Sequence, residues 1–108
     1  MISTHILDTT LGQPARNVMV KLFNDAGQLL AEAKTNQDGR VTSDAFGLLD
    51  IQVGDYSLEF ATQAYFEQQA LSTFYPKAVI HFSITHAEQH YHIPLLISPF
   101  AYSTYRGS

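Results

Sequence analysis

Along most of the chain apolar and polar residues alternate with a period of two, interrupted at roughly ten-residue intervals by Gly, Asn, Asp and Pro; this pattern specifies short strands with one buried face rather than helices. Tyr56-Ser57-Leu58-Glu59-Phe60 shows it most cleanly. Further strands are expected over Ile2 to Leu7, Val18 to Phe23, Gln28 to Lys34, Ala78 to Ile84, Tyr91 to Ile97 and Phe100 to Tyr105. Between them lie turn residues: Leu11-Gly12-Gln13-Pro14, the hairpin Asn24-Asp25-Ala26-Gly27, and Gln37-Asp38-Gly39, which delivers Arg40 at its exit. A loop from Phe46 to Ile51 leads to the Gly54-Asp55 turn. Only Thr62 to Leu71 departs from the period, where Ala64, Tyr65, Gln68, Gln69 and Leu71 suit one short helix. About eight short strands so spaced predict an all-β fold, a Greek-key β-sandwich with a single short helix. Residues 1–108 are expected to form one domain, with no repeat or linker.

Composition removes several classes of function. At 108 residues, 45% hydrophobic and 15% charged, the chain can bury one core. A net charge of −4 with only six Lys and Arg speaks against a surface that tracks nucleic-acid phosphates or binds an anionic membrane. With zero cysteines, a disulfide framework, thiolate catalysis and a Cys-based metal site are all excluded. MISTHILDTT lacks the basic and apolar regions of a secretory leader, no stretch matches a membrane span, and the closing RGS differs from a peroxisomal SKL. A cytoplasmic protein whose partners are small molecules or other copies of itself is therefore expected.

Strand parity sorts the side chains further. In the first strand Ile2, Thr4 and Ile6 share the core face and leave Ser3 and His5 on the other. Near the end, Tyr91, Ile93, Leu95 and Ile97 point one way while His90, His92, Pro94, Leu96 and Ser98 point the other. The second set is apolar beyond its histidines, and Phe100, Tyr102 and Tyr105 add aromatic surface. Such a face predicts association with a copy through two-fold symmetry.

The tail YHIPLLISPFAYSTYRGS, the opening STHILDTTLGQPA and the DGR of Asp38 to Arg40 together resemble the 5-hydroxyisourate hydrolases, the transthyretin-like enzymes of urate breakdown. Gly54-Asp55-Tyr56 and Tyr65-Phe66 also fit, and the closing YRGS is the most specific part, because transthyretin itself does not end this way. The resemblance implies a transthyretin-like homotetramer, a dimer of dimers, with active sites in the channel between dimers and no cofactor or metal. It implies catalytic roles for His5, Arg40 and His92, and substrate binding by Tyr105, Arg106, Gly107 and Ser108. The reaction implied is opening of the 5-hydroxyisourate ring to 2-oxo-4-hydroxy-4-carboxy-5-ureidoimidazoline. Ala101 stands where glycine is expected, which restricts the backbone if a positive φ is needed there.

These residue types suit that chemistry. Hydrolysis of a cyclic amide needs an activated water, a donor for the oxyanion and a proton for the departing nitrogen. Histidine titrates nearest neutrality and so handles the protons, while the planar, permanently charged fork of Arg40 fits an anionic, oxygen-rich ring. Which histidine is the base stays open. Arg106 serves equally well as an anchor for the tail or as a substrate contact. Three alternatives compete with direct water attack: a zinc ion shared by His90 and His92 with His81 or His86, which no carboxylate spacing supports; a covalent triad built from Ser98, Ser103 or Ser108 with Asp8; and a non-catalytic carrier holding an aromatic ligand in the same channel. No G-x-S-x-G elbow supports the triad. The polar set His5, Arg40, His92 and YRGS is superfluous to a carrier.

Overall fold

Alternation in the sequence becomes alternation in burial. In the computed structural model, which describes residues 1–47 and 50–108, β1 (Ile2–Asp8) buries Ile2, Thr4, Ile6 and Asp8 and turns Ser3, His5 and Leu7 outward. The other strands among the described residues are β2 (Gln13–Pro14), β3 (Met19–Asn24), β4 (Leu29–Lys34), β5 (Arg40–Val41), β6 (Gly54–Phe60), β7 (Ala78–Ile84), β8 (Tyr91–Ser98) and β9 (Ala101–Thr104). One sheet runs β2-β1-β8-β9, with β5 also pairing with β1, and the other runs β4-β3-β6-β7. Inward residues of both sheets, among them Ile6, Leu95, Val20, Leu22, Leu58 and Phe60, form the core between them. Each such side chain contributes about 1.5 to 3 kcal/mol through removal from water. This is the expected two-layer β-sandwich.

Three local features differ from the expectation, each for a physical reason. Gln13–Pro14, read as part of a turn, and Arg40–Val41, at the exit of another turn, are short strands that each pair with β1. They satisfy the otherwise open edge of β1 in two pieces, helped by Ala15 N–H donating to Ile6 O and Ile6 N–H donating to Gly39 O. The helix α1 covers only Thr62–Glu67, and it buries Thr62, Tyr65 and Phe66, an i, i+3, i+4 stripe. It stops early because Ala70 adopts φ 58°, the Ala70 N–H returns to Glu67 O and the Leu71 N–H returns to Phe66 O. That closure normally takes glycine. Finally, β1 and β8 pair in parallel, from Ile2 with Tyr91 to Asp8 with Ile97. The two strands are joined through the whole second sheet, the long connection that parallel strands require.

Of the loop expected over residues 46–51, Phe46 and Ile51 are buried against the core, and Leu48 and Leu49 lie outside the described residues. Ala101 pairs with Ser98 at ordinary negative φ, so no glycine is needed there.

Candidate active site

Three distant segments meet on the outer face of the first sheet. Register decides the meeting: His5 of β1 pairs with Arg40 of β5, and Ser3 of β1 pairs with His92 of β8. Directly paired residues point to the same side, and residues 3 and 5 share a face, so Ser3, His5, Arg40 and His92 form one patch.

Arg40 reaches it because of the preceding turn. Gly39 has φ 72°, and a Cβ there would stand 2.5 Å from Ile6 O, so both the backbone conformation and the close approach demand glycine. The Asn36 side-chain oxygen accepts from the N–H groups of Asp38 and Arg40 at 2.9 and 3.0 Å and holds the turn in shape. Gly39 O then accepts from Ile6 N–H at 2.7 Å, which docks the turn onto β1.

A cavity of about 310 Å³ opens here, lined by Ser3, Arg40, Thr42, Ser43, His90, His92 and Ser108 among others. His5 is not part of its wall in the single chain, although it faces Arg40 across the strand pair. A larger cavity of about 540 Å³ lies beside α1, but Arg16, Tyr65 and carboxamides such as Gln13 and Gln68 line it, with no histidine to move protons near neutral pH. We therefore place the candidate site in the smaller cavity.

Electrostatics sets the state of both imidazoles. Burial, reinforced by the Arg40 cation, holds His5 below its ordinary value of 6.5, with Asp38 opposing. Burial again comes first for His92, followed by Arg40, His5 and His90, all lowering it. Both rings are thus kept neutral, the form a proton acceptor needs.

The tail divides between two places. Ser108 lines the site cavity, and Gly107 N–H donates to His92 O at 2.8 Å. A Cβ on Gly107 would stand 2.7 Å from His92 Cδ2, so the glycine packs directly against the imidazole. Tyr105 and Arg106 are not brought into this cavity. They line a separate cleft of about 260 Å³ with Ile80, His81 and Tyr91. There the Arg106 guanidinium lies 4.4 Å from the centre of the Tyr91 ring and donates to Gln89 Oε1 at 3.2 Å, contacts that tether the tail.

The competing constellations do not assemble. His81 lines the other cleft and His86 Nδ1 lies 3.1 Å from Thr85 Oγ1, so neither joins His90 and His92. Among the described residues no cluster of three or more His, Cys, Asp or Glu could hold a metal ion. Asp8 is buried and occupied by Tyr65, and Ser98 Oγ donates to Ala101 O. The side chain that sequence reasoning left without a role is Ser3, whose Oγ lies 2.8 Å from both His90 Nε2 and His92 Nδ1. Its parity with His5 was visible in the sequence; the parallel register that brings it to His92 was not.

Comparison with known proteins places the chain among relatives of the same fold. A model of the HIUase/Transthyretin family matches residues 2–107. A 5-hydroxyisourate hydrolase of Caulobacter vibrioides is 43% identical, with 99% of this chain and 97% of that protein covered. One from Pseudomonas aeruginosa is 38% identical over 99% of this chain and 90% of its own length. The structure of Klebsiella pneumoniae 5-hydroxyisourate hydrolase superposes with a TM-score of 0.89 at 39% identity, covering 99% of this chain and 98% of the other. Transthyretin from Sparus aurata superposes with a TM-score of 0.87 at 30% identity, covering 98% and 95%. Over nearly its whole length, the chain belongs to the HIUase/Transthyretin family.

Proposed function

We propose that the protein hydrolyses 5-hydroxyisourate, opening its ring to 2-oxo-4-hydroxy-4-carboxy-5-ureidoimidazoline, with catalysis by His92, Arg40 and His5. The observation that carries this reading is the convergence of two burial-neutralised imidazoles on one guanidinium beside a cavity of about 310 Å³. The names of the relatives support the substrate. In this reading His92 accepts a proton from water as the water attacks the ring carbonyl. Arg40 donates to the oxygen that gains charge, and His5 serves the departing nitrogen. Ser108 contacts the substrate, and Gly107 keeps His92 in place. Tyr105 and Arg106 act on the substrate only through their hold on the tail.

The deciding experiment generates hydroxyisourate freshly from urate with urate oxidase and follows its ultraviolet decay with and without this protein. Acceleration far beyond spontaneous decay is expected. Decay at the spontaneous rate overturns the reading in favour of a carrier.

Replacing Gly107 with Ala is expected to lower kcat about 100-fold, the scale of a misplacement near 1 Å at a reacting group. The added methyl must displace His92 or lift the tail. A thermal melt should remain close to wild type, because the tail is not part of the core. Wild-type kcat in this variant would show that the tail does not position the imidazole.

We assign a homotetramer to the working enzyme. β7 and β9 are the outer strands on one side of the sandwich, and beside them Phe74, Tyr75 and Tyr102 stack edge to face. Phe74 is 72% and Phe100 67% exposed, an aromatic patch best explained by a second copy. Light scattering coupled to size exclusion should give four times the 12.1 kDa chain mass, and a monomer or dimer mass rejects the assignment.

A further inference from the structure

Ser3 offers one hydroxyl to two imidazoles. Its Oγ lies 2.8 Å from His92 Nδ1 on one side and 2.8 Å from His90 Nε2 on the other. A hydroxyl has one proton and two lone pairs, so it can donate to only one of the two neutral rings; in the arrangement that donates to one histidine and accepts from the other, the two tautomers are coupled. If Ser3 accepts from His92 Nδ1–H, it donates to His90 Nε2, and His92 presents a bare Nε2. If the direction is reversed, Nε2 of His92 carries the proton and cannot act as a base.

We infer that Ser3 and His90 form a proton relay that carries the proton taken up by His92 out to solvent. The inference rests on the hydrolase reading for the direction of flow. In the step, His92 Nε2 takes a proton from the attacking water while the Nδ1 proton of His92 passes to Ser3 Oγ. The Ser3 hydroxyl proton passes in turn to His90 Nε2. The water oxygen bonds to the ring carbonyl carbon, whose π pair moves onto its oxygen. His92 and Ser3 end neutral and His90 ends as the imidazolium, so charge and atoms balance.

Placement explains why such a route is useful. His92 is half-buried, with Arg40 on β5, His5 on β1 and His90 beside it, so a positive charge left on His92 would face a fixed cation. His90 is exposed, and its charge is hydrated and exchangeable with solvent. Both rings and Ser3 line the same cavity as Arg40 and Ser108.

Ser3 and His90 are therefore positioning and relay residues, and the test separates them from mere scaffolding. Ser3→Ala and His90→Asn are each expected to lower kcat about 10- to 100-fold at nearly constant KM, a smaller loss than the 10² to 10⁴ of removing the base itself. Ser3→Thr, which keeps the hydroxyl, restores turnover. A proton inventory in mixed light and heavy water should curve for wild type, with several protons in flight, and straighten in Ser3→Ala. Nitrogen-15 spectra of histidine-labelled protein provide a readout independent of turnover: His92 should be a single Nδ1–H tautomer in wild type and a mixture in Ser3→Ala. Full turnover in Ser3→Ala or His90→Asn overturns the relay, as does a wild-type His92 protonated at Nε2. Wild type without hydrolase activity would sink the hydrolase reading and with it the direction of flow, whereas the spectra alone decide whether Ser3 fixes the tautomer.

Discussion

His92→Asn is expected to lower kcat for hydroxyisourate about 10² to 10⁴-fold, the usual worth of a positioned acid–base group. Asparagine retains a polar atom near Ser3 Oγ, so the strand pairing and the oligomer should persist while the titrating nitrogen is lost. Arg40→Gln should cost a comparable 10² to 10³-fold through the missing oxyanion donor. The pH profile ties the two together. The proposed base, His92, works only when neutral, and burial and Arg40 hold it below 6.5, so the midpoint of the acid limb of wild-type kcat/KM should lie below pH 6.5. Removing the Arg40 cation removes one of the causes of that depression, so the acid limb of Arg40→Gln should move upward toward 6.5. A limb that stays in place, or moves down, would show that the guanidinium does not face His92. Stability follows the same sign. A histidine with a depressed folded value binds its proton more readily when unfolded, so its contribution is complete above 6.5 and is lost as the pH falls below it.

Asp8→Ala should destabilise the fold by about 3 kcal/mol, the upper end of the cost of leaving buried donors without their acceptor. The Asp8 carboxylate is 1% exposed and accepts three hydrogen bonds: Tyr65 O–H at 2.7 Å, Thr10 N–H at 2.9 Å and Leu11 N–H at 3.2 Å. Alanine leaves a buried phenol and a turn without partners, at the point where β1 reverses into β2. Tyr65→Phe should cost less, because Asp8 keeps both backbone donors. The same bond, after burial, pushes the Tyr65 phenol up to about 12. Its contribution is therefore present below pH 10 and fades as the pH rises through that value toward 12. Chemical denaturation of both variants and of wild type measures the difference; equal midpoints for Asp8→Ala and wild type would remove Asp8 from the stabilising network.

The alternation in Tyr56 to Phe60 and in Ile2 to Leu7 carried the fold class, because a period of two reports which face is buried whatever the partner strand. Parity alone also put His5 and His92 outside the core. The motif YRGS drew attention to the tail, yet its four residues go to two places: Gly107 and Ser108 to the imidazole site, Tyr105 and Arg106 to the cleft beside Tyr91. That division depends on how the chain bends after β9, which no local pattern encodes. Ser3 was invisible as a partner of His90 and His92 for a similar reason, since its meaning lies in the register of two strands at opposite ends of the sequence. The early stop of α1 at an alanine in the left-handed region was hidden because the usual glycine signal is absent.

Parallel pairing of β1 with β8 has a temporal consequence. Ser3 and His92 stand 89 residues apart along the chain, so a ribosome must release everything between them before either finds its neighbour. The β3-β4 hairpin and its pairing with β6 need only earlier residues and can form first. Closing so long a span is entropically costly, and dominance of non-local pairing slows folding. A nascent chain interrupted before residue 91 would therefore carry much of its second sheet without the face that unites Ser3, His5, Arg40 and His92, and that face would be born late in folding rather than early.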